Sequence, residues 1–137
     1  MPFVVERTAQ AKAAVDDTMT RSERGAYAAA VASVKGEGCR AGGYRLRSVD
    51  GDDYPLCCKH LRADWRMFTA YLDDDRIVIV AIDRHTPRNN PAATLATVLP
   101  GLATVGRRRD DKPPCCDDLR DPPAMSTELR ALLDALL

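Results

Sequence analysis

Apolar and polar positions along the chain fall into two rhythms, and where the rhythm changes marks the elements. Residues 77–82, IVIVAI, form an unbroken apolar run in which β-branched residues dominate. Such a run is apolar on both faces, which predicts a central strand covered from both sides. Residues 65–72 and 56–62 read as further strands, and residues 44–47 alternate Tyr-Arg-Leu-Arg as a strand with one apolar face does. Short turn signals, 50–53, Ala63-Asp64 and Asp73-Asp74-Asp75, join them into an antiparallel meander. Neither face of residues 65–72 is marked as the one that meets helices, because both carry large side chains.

Before the meander the period is helical. Phe3-Val4-Val5 predicts a short first strand. Thr8 caps a helix over about 9–19. Thr20 and Glu23 fit a capping box that opens a second helix over about 21–35, with Tyr27, Ala30, Val31 and Val34 as its apolar stripe and Gly36 and Gly38 at its end. After the meander, residues 92–99 predict a short helix that starts after Asn90 and stops at Pro100-Gly101. Residues 106–124 have the composition of a linker. Ser126 caps a last helix over 126–137 with a leucine stripe that needs a partner surface. The fold class expected is α+β: an N-terminal strand and helical hairpin packed on an antiparallel sheet meander, with an extra helical C-terminal tail.

Composition changes this picture in two ways. The net charge is zero, yet residues 40–109 carry twelve basic and eight acidic side chains, and residues 110–137 carry three basic and seven acidic. A basic middle and an acidic tail suit an anionic partner and a masking segment, or a plain solvated surface. No apolar run is long enough to span a bilayer, and the N-terminus lacks the pattern of a secretory signal, so a cytoplasmic protein is expected. The five cysteines, Cys39 and the adjacent pairs Cys57-Cys58 and Cys115-Cys116, show no C-x-x-C spacing. They are expected to be reduced, buried thiols, with no metal and no cofactor.

The cations cluster around the central strands. Lys59, His60, Arg62 and Arg66 come before or within the hairpin, and Arg84, His85 and Arg88 follow it. Arg45 and Arg47 flank Leu46 on the preceding strand. By alternation, Lys59 points to the opposite face from His60 and Arg62. Trp65 and Tyr71 are expected in the core rather than as base-stacking platforms. Arg66 paired with Asp64 or Asp75, and Arg84 paired with Asp83, are structural alternatives to any functional role.

Three stretches in order, YRLR (44–47), KHLRADWRMF (59–68) and RIVIVAIDRH (76–85), resemble the RelE/ParE superfamily of bacterial toxins over roughly residues 1–90. The resemblance divides the chain into a toxin-like domain, 1–90, and a C-terminal extension, 91–137. It implies a metal-independent endoribonuclease that cleaves mRNA at the ribosome and is neutralised by an antitoxin. In such a site the substrate 2′-hydroxyl attacks the adjacent phosphate. Arg66 and Arg84 would then stabilise the developing charge, and His60 and His85 would be base and acid. Lys59, Arg62, Arg45, Arg47 and Arg88 would hold the RNA backbone. Family members commonly carry a tyrosine just after the last basic cluster, where this chain has Asn89-Asn90. That departure favours the alternative, a toxin-like protein that binds a protein target such as a type II topoisomerase; the neutral total charge and the long tail suit a third, a binding or regulatory module that has lost toxin activity. Arg45, Arg66 and Arg84 scattered to unrelated sides, or a meander with no helical pair behind it, would count against the toxin assignment as a whole.

Overall fold

The structure is a computed structural model, and it describes residues 3–47, 53–72, 75–100 and 113–137. Five strands form one sheet in the order β1-β5-β4-β3-β2. They are β1 (Val4–Arg7), β2 (Tyr44–Arg47), β3 (Asp53–His60), β4 (Trp65–Tyr71) and β5 (Arg76–Arg84). Strands β2 to β5 make the expected antiparallel meander. The first strand adds to it in parallel, beside β5, so the sheet is mixed. Residues 77–82 lie on β5, between β1 and β4, and every one of them is buried.

The helices form where local chemistry stops and starts them. Helix α1 (Ala9–Ala13) runs into a π-helical turn over Ala14–Thr18. The Thr8 hydroxyl accepts from the Ala11 amide at 3.3 Å and donates to the Val80 carbonyl at 2.7 Å, so one side chain caps the helix and ties it to β5. Gln10 completes that junction. Its amide donates to the Ile82 carbonyl and accepts from the Ile82 N–H, and so pairs with β5 where β1 has ended. Helix α2 (Arg21–Glu37) opens with the full capping box: the Glu23 amide donates to Thr20 Oγ1 at 3.2 Å, and the Thr20 amide donates to Glu23 Oε1 at 2.9 Å. Gly38, at φ +65°, ends it.

Both faces of the sheet are covered, which settles why both faces of β4 carry large residues. On one face α1 and α2 bury Cys57, Trp65, Met67, Tyr71, Ile77, Ile79 and Ile82. On the other, Leu95 and Leu99 near α3 (Pro91–Val98) and Leu129 and Leu133 of α4 (Thr127–Leu136) bury Leu56, Phe68, Ala70, Val78 and Val80. The C-terminal helix therefore completes the core. Leu129 and Leu133 point inward while Leu132 and Leu136 stay partly exposed. A salt link from Arg76 to Glu6 and Asp134 ties α4 to β1 and β5.

One expectation is overturned here. Cys39 is cross-linked to Cys116 and Cys57 to Cys115, so four of the five cysteines are oxidised and Cys58 alone is a buried thiol. Cys57 and Cys58 do face opposite sides of β3, and that is why only Cys57 reaches the partner. Within the stretch read as linker, 106–124, Pro114 bridges Tyr44, and the Arg45 amide donates to the Pro113 carbonyl at 2.8 Å, so residues 113–116 lie along the edge of β2. Residues 101–112, and with them the rest of that stretch, lie outside the described residues, as do Asp73 and Asp74 of the acidic turn and residues 48–52.

Candidate functional site

The β3–β4 turn and the end of β5 meet at one end of the sheet. Leu61 N–H donates to the Trp65 carbonyl to close the turn, and His85 N–H donates to the Asp64 carbonyl at 2.8 Å. Ala63 sits in the turn at φ +63°. His60, Arg62, Asp64, Arg66, Arg84 and His85 thus come from three chain segments to one end, as the clustering in sequence implied.

They do not come to one face. His60 is the direct cross-strand partner of Arg66, and Arg66 is the partner of Asp83. These share the face covered further along by α3 and α4. Tyr44, on the outer strand β2, meets His60 edge-on with ring centroids 5.5 Å apart. Burial, and then the neighbouring Cys58 thiol, push the Tyr44 phenol well above its usual pKa, while the Arg66 guanidinium works in the opposite direction. Like any phenol, Tyr44 is protonated near neutrality, so its hydroxyl can donate a hydrogen bond. His60 is exposed and Arg66 half-buried, so the group opens to solvent at the sheet's end.

Arg84 lies on the helical face instead. It sits over the Trp65 ring, 4.7 Å from the centroid, and its two guanidinium nitrogens donate to Glu23 Oε2 and Asp64 Oδ1, each at 2.9 Å. The cause is one residue. Phe68 pairs with Ala81 but Thr69 pairs with Ile79, so Val80 is an extra residue on β5. That bulge reverses the alternation: Val78 and Val80 face α3 and α4, while Ile82 and Arg84 face α2. With strict alternation Arg84 would stand on the Arg66 side.

The remaining cations divide in the same way. Arg45 is opposite Cys57, on the helical side, so the Arg45–Arg66–Arg84 set does not form one site. Lys59 is also on that side, as its alternation with His60 implied, and its ammonium donates to the Ala41 carbonyl at 2.7 Å. Arg47 is in register with Asp53 at the far end of β2. Arg62 is exposed in the β3–β4 turn, and Arg88 is exposed in the Thr86–Asn89 turn. Trp65 and Tyr71 are buried in the core, as expected.

The Glu23 carboxylate is held below its ordinary pKa. The Thr20 backbone N–H is the largest cause, the nearby Trp65 indole N–H the next, and Arg84 adds to both. Among the described residues no three His, Cys, Asp or Glu side chains cluster as a metal site would need, and no helix is long and apolar enough to cross a membrane. Tyr44 was the residue that motif reading passed over. Its signal was its place opposite Cys58, two residues before His60 on the same face. Comparisons with protein-family models, with curated proteins and with solved structures find no match.

Proposed function

We propose that this chain is a toxin-type endoribonuclease of the RelE/ParE kind that works without the one-sided Arg45–Arg66–Arg84 set the resemblance called for, since Arg45 and Arg84 lie on the face opposite Arg66; its working group is His60, Arg66, Tyr44 and His85. The observation that carries the reading is the cross-strand pair His60–Arg66 with Tyr44 edge-on to the imidazole. A guanidinium beside an imidazole on a stiff sheet suits phosphate, since fixed cations aimed at developing charge contribute most in such a site. In this scheme His60 takes the proton of the substrate 2′-hydroxyl as that oxygen attacks the adjacent phosphorus. Arg66 faces the charge that builds on the phosphoryl oxygens. Tyr44, kept protonated, donates to one of them. His85, at the same end, protonates the departing 5′-oxygen, which leaves a 2′,3′-cyclic phosphate. The target would be mRNA at the ribosome in the cytoplasm, and an antitoxin would hold the protein in check.

The engagement of Arg84 by Glu23, Asp64 and Trp65 favours a second reading. With that cation committed to the fold, the same frame would bind a protein target such as a type II topoisomerase and cleave nothing. Inducible expression in a bacterial host separates the two, scored for growth and for mRNA 5′ ends. The nuclease reading expects growth arrest with new 5′ ends, both lost in Arg66→Ala and His60→Ala. Arrest without new ends supports the protein-target reading, and growth without arrest overturns both.

A further inference from the structure

Four cysteines meet where β2 closes the sheet. Cys115 and Cys116 are adjacent, yet they reach two different elements. Cys115 is bonded to Cys57 on β3, and Cys116 to Cys39 in the 3₁₀ turn, Gly38–Ala41, that follows α2. All four are buried. Between them the backbone runs along the outer edge of β2. Arg45 N–H donates to the Pro113 carbonyl at 2.8 Å, Cys115 N–H donates to the Gly43 carbonyl at 3.1 Å, and Tyr44 stands opposite Pro114 in an antiparallel bridge. Among the described residues, the two backbone hydrogen bonds that make up this bridge are little to hold an irregular segment on a sheet edge, so the two cross-links do most of the holding.

A protein that acts on mRNA works where thiols are kept reduced, and cystines there are transient and regulatory rather than permanent. We infer that Cys39–Cys116 and Cys57–Cys115 form a redox-operated clasp that seals the β2 edge when oxidised and frees residues 113–116 when reduced. Each cystine is opened by two molecules of a small thiol of the glutathione type. The sulfur–sulfur bond breaks, two protein thiols form, and the small thiols leave as one disulfide; oxidation by the small disulfide runs the exchange backwards. Cys58 lies on the other face of β3 and takes no part. The clasp bears on function through Tyr44, which lies between the segment it holds and His60. That coupling, and the choice of a reversible clasp over a permanent cross-link, rest on the nuclease reading; the two cross-links themselves do not.

The test uses the full chain. Protein purified without reductant, incubated with oxidised glutathione and alkylated after denaturation should show one reactive thiol, with peptide mapping recovering both cross-links. In increasing reduced glutathione, amide hydrogen exchange in peptides spanning residues 43–46 and 113–117 should become at least tenfold faster, while exchange in β5 stays unchanged. Fluorescently labelled RNA should bind at least fivefold more weakly to the reduced form. The double variant Cys115→Ser with Cys116→Ser should exchange like the reduced protein and ignore glutathione. Five alkylatable thiols after oxidation, stoichiometric zinc on the isolated protein in place of the cross-links, or equal exchange rates in both states would overturn the clasp. Exchange that responds to glutathione in a protein that binds no RNA in either state would leave the clasp standing and remove the nuclease reading.

Discussion

Arg84 lies 4.7 Å above the centre of the Trp65 ring, and the two are direct cross-strand partners on β5 and β4. The contact joins a cation, an indole and the first turn of α2, because the same guanidinium reaches Glu23. It makes Arg84 a fastener between sheet and helix, while Arg66, one strand over and on the opposite face, reaches no further than the Trp65 carbonyl, to which it donates at 3.1 Å.

That division can be measured. Arg84→Ala is expected to lower unfolding stability by about 1–2 kcal/mol, the sum of two partly exposed ion pairs, with Glu23 and Asp64, and a cation–π contact. Arg66→Ala is expected to change stability by no more than about 0.5 kcal/mol while abolishing RNA cleavage. Urea denaturation gives the first quantity and 5′-end mapping the second. Equal destabilisation by both variants would count against the split.

Acid should expose the role of Glu23. Its folded pKa lies below the ordinary value of 4.5, so the stabilisation it provides is complete above that value and fades as pH falls through the lowered one. Thermal melting of the wild type from pH 6 downward should show this loss. Glu23→Gln lacks the ionisable group and should melt lower at pH 6, with a shallower decline below pH 4.5. Parallel curves for the two proteins would assign the acid sensitivity to other carboxylates.

The C-terminal helix should behave as core. Leu133 is fully buried, and Leu133→Ala is expected to cost about 2–5 kcal/mol. Leu132, on the same helix but 41% exposed, should tolerate alanine within about 0.5 kcal/mol. Chemical denaturation of the two variants decides whether α4 carries stability or merely lies on the surface.

Gly43 is expected to resist any side chain. Its φ is +86°, and a Cβ there would run into the backbone carbonyl of Cys58. Gly43→Ala should cost roughly 1–3 kcal/mol from backbone strain, before any displacement of β3. A melting temperature equal to that of the wild type would show that the β2–β3 contact relaxes freely.

Much of the fold was legible because it is decided locally. Thr8, Thr20 with Glu23, Asn90 and Ser126 each cap the helix that their sequence context announces. The four meander strands start and stop within three residues of their turn signals. What could not be read depends on contacts distant in sequence. The Cys39–Cys116 and Cys57–Cys115 pairing joins positions 77 and 58 residues apart and carries no spacing signature. The site was half legible. His60 and Arg66 are neighbours in a hairpin and their partnership follows from the turn. Arg84 was misplaced because one bulged residue, Val80, leaves no mark in an all-apolar run and yet inverts every side chain after it.

The parallel docking of the first strand has a consequence for how the molecule is made. Val4 pairs with Arg76, so the first strand has no partner until a strand about seventy residues further along the chain has been made. The hairpins between β2 and β5 close over short loops and can assemble first, leaving the leading segment to arrive last on a template already built. During that interval one side of β5 is bare, and the nascent protein is then most exposed to mispairing with another copy of itself.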